Sequence, residues 1–541
     1  MTDTPSGLPH VFPTVVHMLA EAAARSPDAI ALVCGDPRLS YAQYLRCVAG
    51  FAHELIAHGA RTGRVALVCR NSLDLPIAMF GVHAAGGQAV PINPAYTARE
   101  LSYILTDAAP SAIIYDAEVA TTVEPLIVSL AIPHAVRLGA SHRTLDWWKD
   151  DAIQALPQPL PQPDDLATLQ YTGGTTGRPK GVNISHRQMA VNISQREAAL
   201  PTRADDERIL CMMPLFHVFA VAMCLHLAAY CRGRLVIMPR YDAQDVLDLI
   251  VRERISRLPA GPTVFIGLLS HEKFATTDFR SLRTAYSGSA PLPEETLRCW
   301  QERTGSPILE GYGQTEAGPV LSYIRDGGQL KVGSSGPALP LTEIEIVDVE
   351  TGMKTLEVGE VGEIRARGPQ IMSGYRNKPQ ETAEALRDGW LYTGDIGELD
   401  RDGYIYIRDR KKDMAIVGGY NVYPREVDEV LFMHPDVKEA ASAGVPDKYY
   451  GETIRASVVL KSGAHATADD LIAHCKANLA RYKVPSRIFI VTELPRTTVG
   501  KIDRNALRNQ LAGPPADTTK SVTAVVAADG TTAAHATFAN R

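Results

Sequence analysis

Apolar positions recur at helical spacing from Val15 to Arg25 and from Tyr41 to His58, and the apolar run Arg64 to Cys69 reads as a strand. From Asp165 to Tyr312 the pattern repeats strand, turn and helix. Leu166 to Tyr171 and Arg234 to Met238 are predicted strands, and Asp242 is placed as the N-cap of a helix running to about Ile255. Leu282 to Ser287 is a further strand, before a helix opened by Pro293, Glu294 and Glu295. Such alternation predicts parallel sheet covered by helices on both faces. Ile209 to Cys231 is a run of 23 residues without a formal charge, long enough to span a bilayer. Pro214, His217 and His226 interrupt it and Gly233 follows, so it is read as a buried strand, turn and helix.

Beyond about residue 330 the texture changes. Short segments separated by glycine, GEVGEIRARG and DGYIYIRD, predict antiparallel strands or a small β-barrel. After Asp409-Arg410-Lys411-Lys412 a helix is expected near Pro424 to Met433, then two strands and an amphipathic helix, Asp469 to Leu479. The fold class is therefore α/β. A large N-terminal domain of helix-covered parallel sheets plus a small β-barrel spans residues 1–408, and a small α+β domain spans 413–511. A proline-rich connector, Ala155 to Pro163, suggests a subdomain break near 155–165, and the β-rich part covers about 330–408. Residues 512–541, rich in Ala and Thr, are expected to be a disordered tail.

A length of 541 residues is enough for about three to four structural units. With 55 basic and 61 acidic side chains the net charge is −6, which argues against a nucleic-acid footprint spread over the chain. Eight cysteines lie scattered without CxxC pairs or Cys/His metal spacing, and the first residues lack a basic stretch followed by an apolar one. A reducing cytoplasm is the expected location.

The strongest chemical signal is Tyr171-Thr172-Gly173-Gly174-Thr175-Thr176-Gly177-Arg178-Pro179-Lys180-Gly181, at the end of a predicted strand. Glycines let backbone N–H groups approach an anion, threonine hydroxyls add donors, and the lysine adds a mobile positive charge. The composition is that of a phosphate-binding loop. It is not the common G-x-x-x-x-G-K-[ST] loop, because Arg178-Pro179 intervenes and glycine follows the lysine.

At this string the sequence resembles the adenylate-forming superfamily of acyl-CoA synthetases, luciferases and peptide-synthetase adenylation domains. Four further motifs stand in the same order: Glu310-Gly311-Tyr312-Gly313-Gln314-Thr315-Glu316, Tyr392-Thr-Gly-Asp395, the string from Asp409 to Asn421, and Pro495 to Ile502 around Lys501. The resemblance spans roughly residues 10 to 510. It implies ATP, Mg²⁺ and coenzyme A as cosubstrates and cofactor, and residues 409–412 as a hinge that makes the small domain mobile.

The roles it implies suit the residue types. The two oxygens of Asp395 match the paired hydroxyls of a ribose, and Arg410 is a permanently charged planar donor for the same ribose or a phosphate. Tyr312 offers a face for adenine, the opposite face coming from Gly288, Ser289 and Ala290. Glu316 supplies a hard carboxylate for Mg²⁺ with Thr176 beside it, and Thr315 a hydroxyl for the α-phosphate. By resemblance Lys501 enters from the small domain and bridges the substrate carboxylate and the α-phosphate, where a cation between two anions favours the transition state. Lys412 matches the hinge position, and Gly418 and Gly419 would lie along a coenzyme A tunnel.

Where amino-acid-activating relatives carry an Asp, this chain has His217, and no carboxylate occurs between Arg208 and Tyr241. A substrate ammonium would be buried without a partner there, which disfavours amino acids. The candidate lining (His217, Val218, Phe219, Pro262, Thr263, Gly311, Val320) is mostly apolar, with Gly311 taken to leave space. Gly174, where many relatives have Ser, and the string Asp388 to Gly397 resemble fatty acyl-CoA ligases. A lysine common in relatives is Ile416 here. The expected activity is that of an AMP-forming acid–CoA ligase for a medium- or long-chain fatty acid, a carbon–sulfur ligase. An aryl or arylalkanoic acid ligase and an enzyme loading a separate carrier protein are the alternatives. Expected partners are the acid, ATP and CoA and no nucleic acid, with peripheral membrane contact and a homodimer left open.

Overall fold

The computed structural model describes residues 7–139, 155–172, 179–290, 292–497 and 500–512. The helices at Val15–Arg25 and Tyr41–Ala57 form where the apolar spacing puts them. Each is capped by a hydroxyl: Thr14 accepts from the His17 amide, and Ser40 forms a capping box with Gln43. Helix Asp74–Ala84 is apolar on nearly every side and buried on every side, as a helix between layers must be.

Two large sheets sandwich these helices. One has eight strands in the order Val320–Tyr323, Ile308–Gly313, Thr284–Ser287, Arg257–Ala260, Arg208–Cys211, Arg234–Ile237, Ile30–Val33 and Arg38–Ser40. Its six inner strands are parallel and only the two edges run antiparallel. The other has seven, in the order Gly374–Tyr375, Lys180–Ser185, Leu166–Thr172, Gln88–Pro91, Arg64–Val68, Ala112–Asp116 and His134–Leu138. One continuous apolar core joins them, including Phe51, Phe80, Leu215 and Tyr323.

The expected break near 155–165 does not separate two sheets. His134–Leu138 before it and Leu166–Thr172 after it are strands of the same seven-stranded sheet, so the proline-rich connector is a crossing between strands. Proline suits it because the crossing needs no ladder hydrogen bonds. The uncharged run resolves as strand Arg208–Cys211, a turn, and a buried helical segment from Val218 to Cys231 with a π-turn at Val221–His226. No helix among the described residues is long and apolar enough to cross a membrane. Helix Ala243–Arg252 begins at Asp242 as expected and stops short of Ile255, with Glu253 turned to Arg38 and Arg234.

The small barrel takes the form of a half-barrel. Its strands Glu343–Val347, Gly362–Arg367 and Trp390–Leu399 pair antiparallel, and both Leu386–Arg387 and Ile405–Arg410 pair with Trp390–Leu399. The C-terminal residues build a separate sheet from Tyr420–Val422, Ala415–Val417, Gly451–Leu460, Val437–Asp447 and Arg487–Ile490, with cores of their own. The expected tail lies outside the described residues beyond Ala512.

Three histidines, His83, His186 and His226, are buried together between the two large sheets. Burial holds His83 down to about 4 and lowers the other two well below the usual imidazole value. All three are neutral in the fold, while the unfolded chain takes up protons below about pH 6.5. Stability is therefore full above that value and falls as the pH drops toward 4, by up to ~1.4 kcal/mol per pH unit for each group. Urea midpoints from pH 7 to pH 5 should fall less steeply for His83→Gln than for the parent; identical slopes would refute the assignment.

Candidate active site

Four strands of the eight-stranded sheet carry candidate residues at or just beyond their carboxyl ends, the usual place for a ligand in an open α/β sheet. Arg208–Cys211 leads to His217, Arg257–Ala260 to Pro262, Thr284–Ser287 to Gly288, Ser289 and Ala290, and Ile308–Gly313 carries Tyr312. The last two pair directly, with Tyr286 opposite Leu309 and Ser287 opposite Glu310. The loop and the aromatic ring thus emerge side by side.

Asp395 is the centre of the polar side. It is 8% exposed, and its Oδ2 accepts from the Tyr312 hydroxyl at 2.7 Å. Strand pairing sets Arg410 opposite Asp395, with Nε 3.5 Å from Oδ1. Burial raises the Asp395 carboxyl, and Arg410, the Tyr312 hydroxyl and Lys412 oppose that rise.

Two lysines share this field. Burial and Arg410 lower Lys501 to about 8, with Asp395 opposing. Lys412 is also held at about 8, by burial and then by Arg410, against Asp413 and Asp395. Its field also includes Lys180. The structure thus brings together Lys501, Lys412, Arg410 and Lys180, which are far apart in sequence.

His217 stands at the N-cap of the Val218 helical segment, its Nδ1 accepting from the Phe219 amide at 3.3 Å. Burial, and secondarily Lys501, push it down to about 3. It is neutral, and since Nδ1 accepts, the proton sits on Nε2. Phe219 lies against Gly288, where a Cβ would come 2.8 Å from the ring. The absence of a side chain lets the His217 segment and the Gly288 loop close on each other.

Glu316 sits in the short turn Thr315–Ala317, and its Oε1 accepts from the Tyr375 hydroxyl at 2.8 Å. Lys180 stands 4.4 Å over the Tyr375 ring. Tyr375, which the sequence reading missed, therefore connects the lysine of the candidate phosphate loop to the candidate metal carboxylate. Gln170 was also missed. Its Nε2 donates to the Phe216 carbonyl at 3.0 Å and ties strand Leu166–Thr172 to the His217 turn. Tyr375 stands outside the motifs and Gln170 directly precedes the Tyr171 string, but the partners of both appear only in the assembled fold.

Other positions differ from the sequence reading. Gly311 leaves no space for substrate: a Cβ there would meet the Tyr323 ring at 2.3 Å, so the glycine accommodates a core tyrosine. Thr263 is exposed and Pro262 and Val320 are buried. The Glu310 carboxyl is raised to about 7 by burial, countered by Arg425 of the small sheet unit and by the Leu292 amide. Gln314 and Thr315 are half-buried and Gly313 exposed beside them. Gly418 and Gly419, with φ of 58° and 87°, form the exposed tip of the hairpin between Ala415–Val417 and Tyr420–Val422. Around that hairpin Ile416, Tyr420, Tyr450 and Tyr482 expose apolar surface, and the rings of Tyr420 and Tyr482 stack. Thr172 ends its strand with its hydroxyl on the Lys180 carbonyl, whereas Gly173, Gly174, Thr175, Thr176 and Gly177 lie outside the described residues.

The site so described joins an acceptor pair suited to a diol, an aromatic face, converging cations and a neutral histidine beside apolar walls. The sequence profile of the AMP-binding enzymes matches residues 19–376, and that of the AMP-binding enzyme C-terminal domain matches residues 426–501. The long-chain-fatty-acid–CoA ligase of Bacillus subtilis (strain 168) is 37% identical over 543 residues, covering 94% of this chain and 97% of the relative. The crystal structure of ATP-bound MatB from Rhodopseudomonas palustris superposes with a TM-score of 0.86 at 32% identity, over 92% of this chain and 98% of the other. That of the anthranilate CoA ligase AuaEII in complex with anthranoyl-AMP gives 0.87 at 28% identity, over 94% and 99%.

Proposed function

The chain belongs to the AMP-binding enzyme family, and from that premise we propose that it is an AMP-forming acid–CoA ligase for a long-chain fatty acid. The observation that carries the reading is the set of cations around buried Asp395, beside a neutral histidine. Such a site can bring a carboxylate to a triphosphate, two anions that repel each other in water. The carboxylate oxygen attacks the α-phosphorus, pyrophosphate leaves, and an acyl-adenylate remains. The thiolate of CoA then attacks the acyl carbon and AMP departs.

Asp395 and Arg410 take the ribose, and Tyr312 and the Gly288–Ala290 loop hold adenine between them. The loop from Thr172 to Gly177, with Lys180, takes the phosphates. Lys501 spans the attacking carboxylate and the α-phosphate. Glu316, whose Oε1 is already oriented by Tyr375, fits a hard cation as an oxygen donor; with Thr176 it would hold Mg²⁺, which offsets phosphate charge. Neutral His217 offers its Nε2–H without placing a competing cation beside the chain. The exposed apolar hairpin around Gly418 and Gly419 supports residues 409–412 as the hinge. Rotation there would bring this face to the site for the thiol step.

A fatty acid is favoured by the apolar walls at Val218 and Phe219 and by the Bacillus subtilis relative, itself named a long-chain-fatty-acid–CoA ligase. The test is AMP and pyrophosphate release over acids from acetate through long-chain fatty acids to benzoate and cinnamate, with and without CoA. The expected result is CoA-dependent turnover that peaks for long-chain acids. A peak for aromatic acids would move the assignment toward the activity named for AuaEII. Pyrophosphate release without CoA-dependent turnover would mean a different acceptor, such as a carrier protein.

A further inference from the structure

Away from this site, the outer edge of the seven-stranded sheet holds a cluster with a different chemistry. Glu54 and His58 stand four residues apart at the end of helix Tyr41–Ala57 and so share one face. His134 opens the edge strand His134–Leu138 and meets them there. One ligating atom from each residue lies within 4.8 Å of those of the other two.

The state of each donor is fixed by its surroundings. His58 Nδ1 is 2.9 Å from the Glu54 backbone carbonyl. A carbonyl can only accept, so Nδ1 carries a proton, and in the neutral ring Nε2 is left with the lone pair. A backbone carbonyl orienting the second ring nitrogen is the usual support for a metal-binding histidine. His134 is 9% exposed, and its Nε2 has no hydrogen-bond partner although it lies 3.4 Å from Glu54 Oε1. A buried imidazole nitrogen without a partner is costly unless something occupies it. The Glu54 carboxylate is buried in the same place.

We infer that Glu54, His58 and His134 form a site for a transition-metal dication of the Zn²⁺ class. Two imidazoles and one carboxylate match the donor preference of such ions, and hard Mg²⁺ or Ca²⁺ would call for more oxygens. The His58 ring is exposed and stacks on His134 at 3.9 Å with 18° between the planes. Its exposed side leaves a position for water. The bound ion would clip the end of helix Tyr41–Ala57 to a strand that, among the described residues, has a neighbouring strand on one side only. This role is structural and does not depend on the reaction proposed above.

The test uses the full chain, free of any affinity tag and treated with chelator, titrated with Co²⁺ and Zn²⁺. One equivalent of Co²⁺ should give visible d–d absorption that Zn²⁺ displaces, and Zn²⁺ should raise the thermal midpoint. His58→Gln, at an exposed position, should leave the fold and the acid-dependent turnover intact while weakening both ions at least ~10-fold. His134→Gln should do the same. Absence of Co²⁺ absorption in the parent, or unchanged affinity in folded His58→Gln, would overturn the proposal.

Discussion

Lys501→Ala is expected to reduce acyl-adenylate formation by about 10²- to 10³-fold, the usual consequence of removing one preorganised group from a developing charge. Acyl transfer from supplied acyl-adenylate to CoA should stay largely intact, because that step no longer needs a cation between carboxylate and phosphate. Pyrophosphate exchange and single-turnover thioester formation measure the two steps separately. Equal loss of both would refute the division of labour. Lys501 also predicts a pH profile. Burial and Arg410 bring its ammonium down to about 8, so the active charged form is complete well below that pH and disappears as the pH rises through it. Adenylation should decline with an alkaline limb near pH 8, and thioesterification measured from supplied adenylate should lack that limb.

Asp395→Asn couples to this result. The carboxylate opposes the lowering of both Lys501 and Lys412, and it accepts the Tyr312 hydroxyl and faces Arg410. Asn keeps the shape and one acceptor oxygen but removes the charge that faces Arg410 across that strand pair. Loss of charge-assisted bonds to the ribose should raise the KM for ATP by about 10- to 100-fold, from ~1.5–3 kcal/mol per such bond. The same substitution should move the alkaline limb of adenylation to lower pH, because the ammonium of Lys501 loses the carboxylate charge that opposes its lowering. A raised KM with an unmoved limb would mean that Asp395 acts on the nucleotide alone.

Much of this fold was legible because its signals are local. The Val15–Arg25 helix and the Asp242 cap follow from side-chain spacing and a single cap. The uncharged run up to Cys231 was read correctly as buried because proline and histidine interrupt it. What the sequence hid was which sheet each strand joins. Strand identity survives in composition, but partner choice is decided by packing between elements far apart in sequence, as when Gln88 meets Thr168, 80 residues on. The proline-rich connector was misplaced for that reason.

The candidate site divides in the same way. Motif residues such as Tyr312, Asp395 and Arg410 assemble as a unit, and strand register alone sets Asp395 against Arg410. Tyr375 and Arg425 belong to no motif, and they and Gln170 gain their importance through what they touch. Gly311 shows the opposite limit. A missing side chain signals close approach without saying by what, and here the neighbour is Tyr323 rather than substrate.

Helix Asp74–Ala84, enclosed on all sides by apolar neighbours, also bears on how the protein comes apart. Its residues belong to the same continuous core as side chains from both large sheets, so neither sheet can open without stripping the helix of partners. The C-terminal sheet keeps cores that share no member with it. Calorimetry should therefore resolve one large cooperative endotherm for the two sheets together and a smaller, separable one for the C-terminal sheet, with nucleotide shifting both.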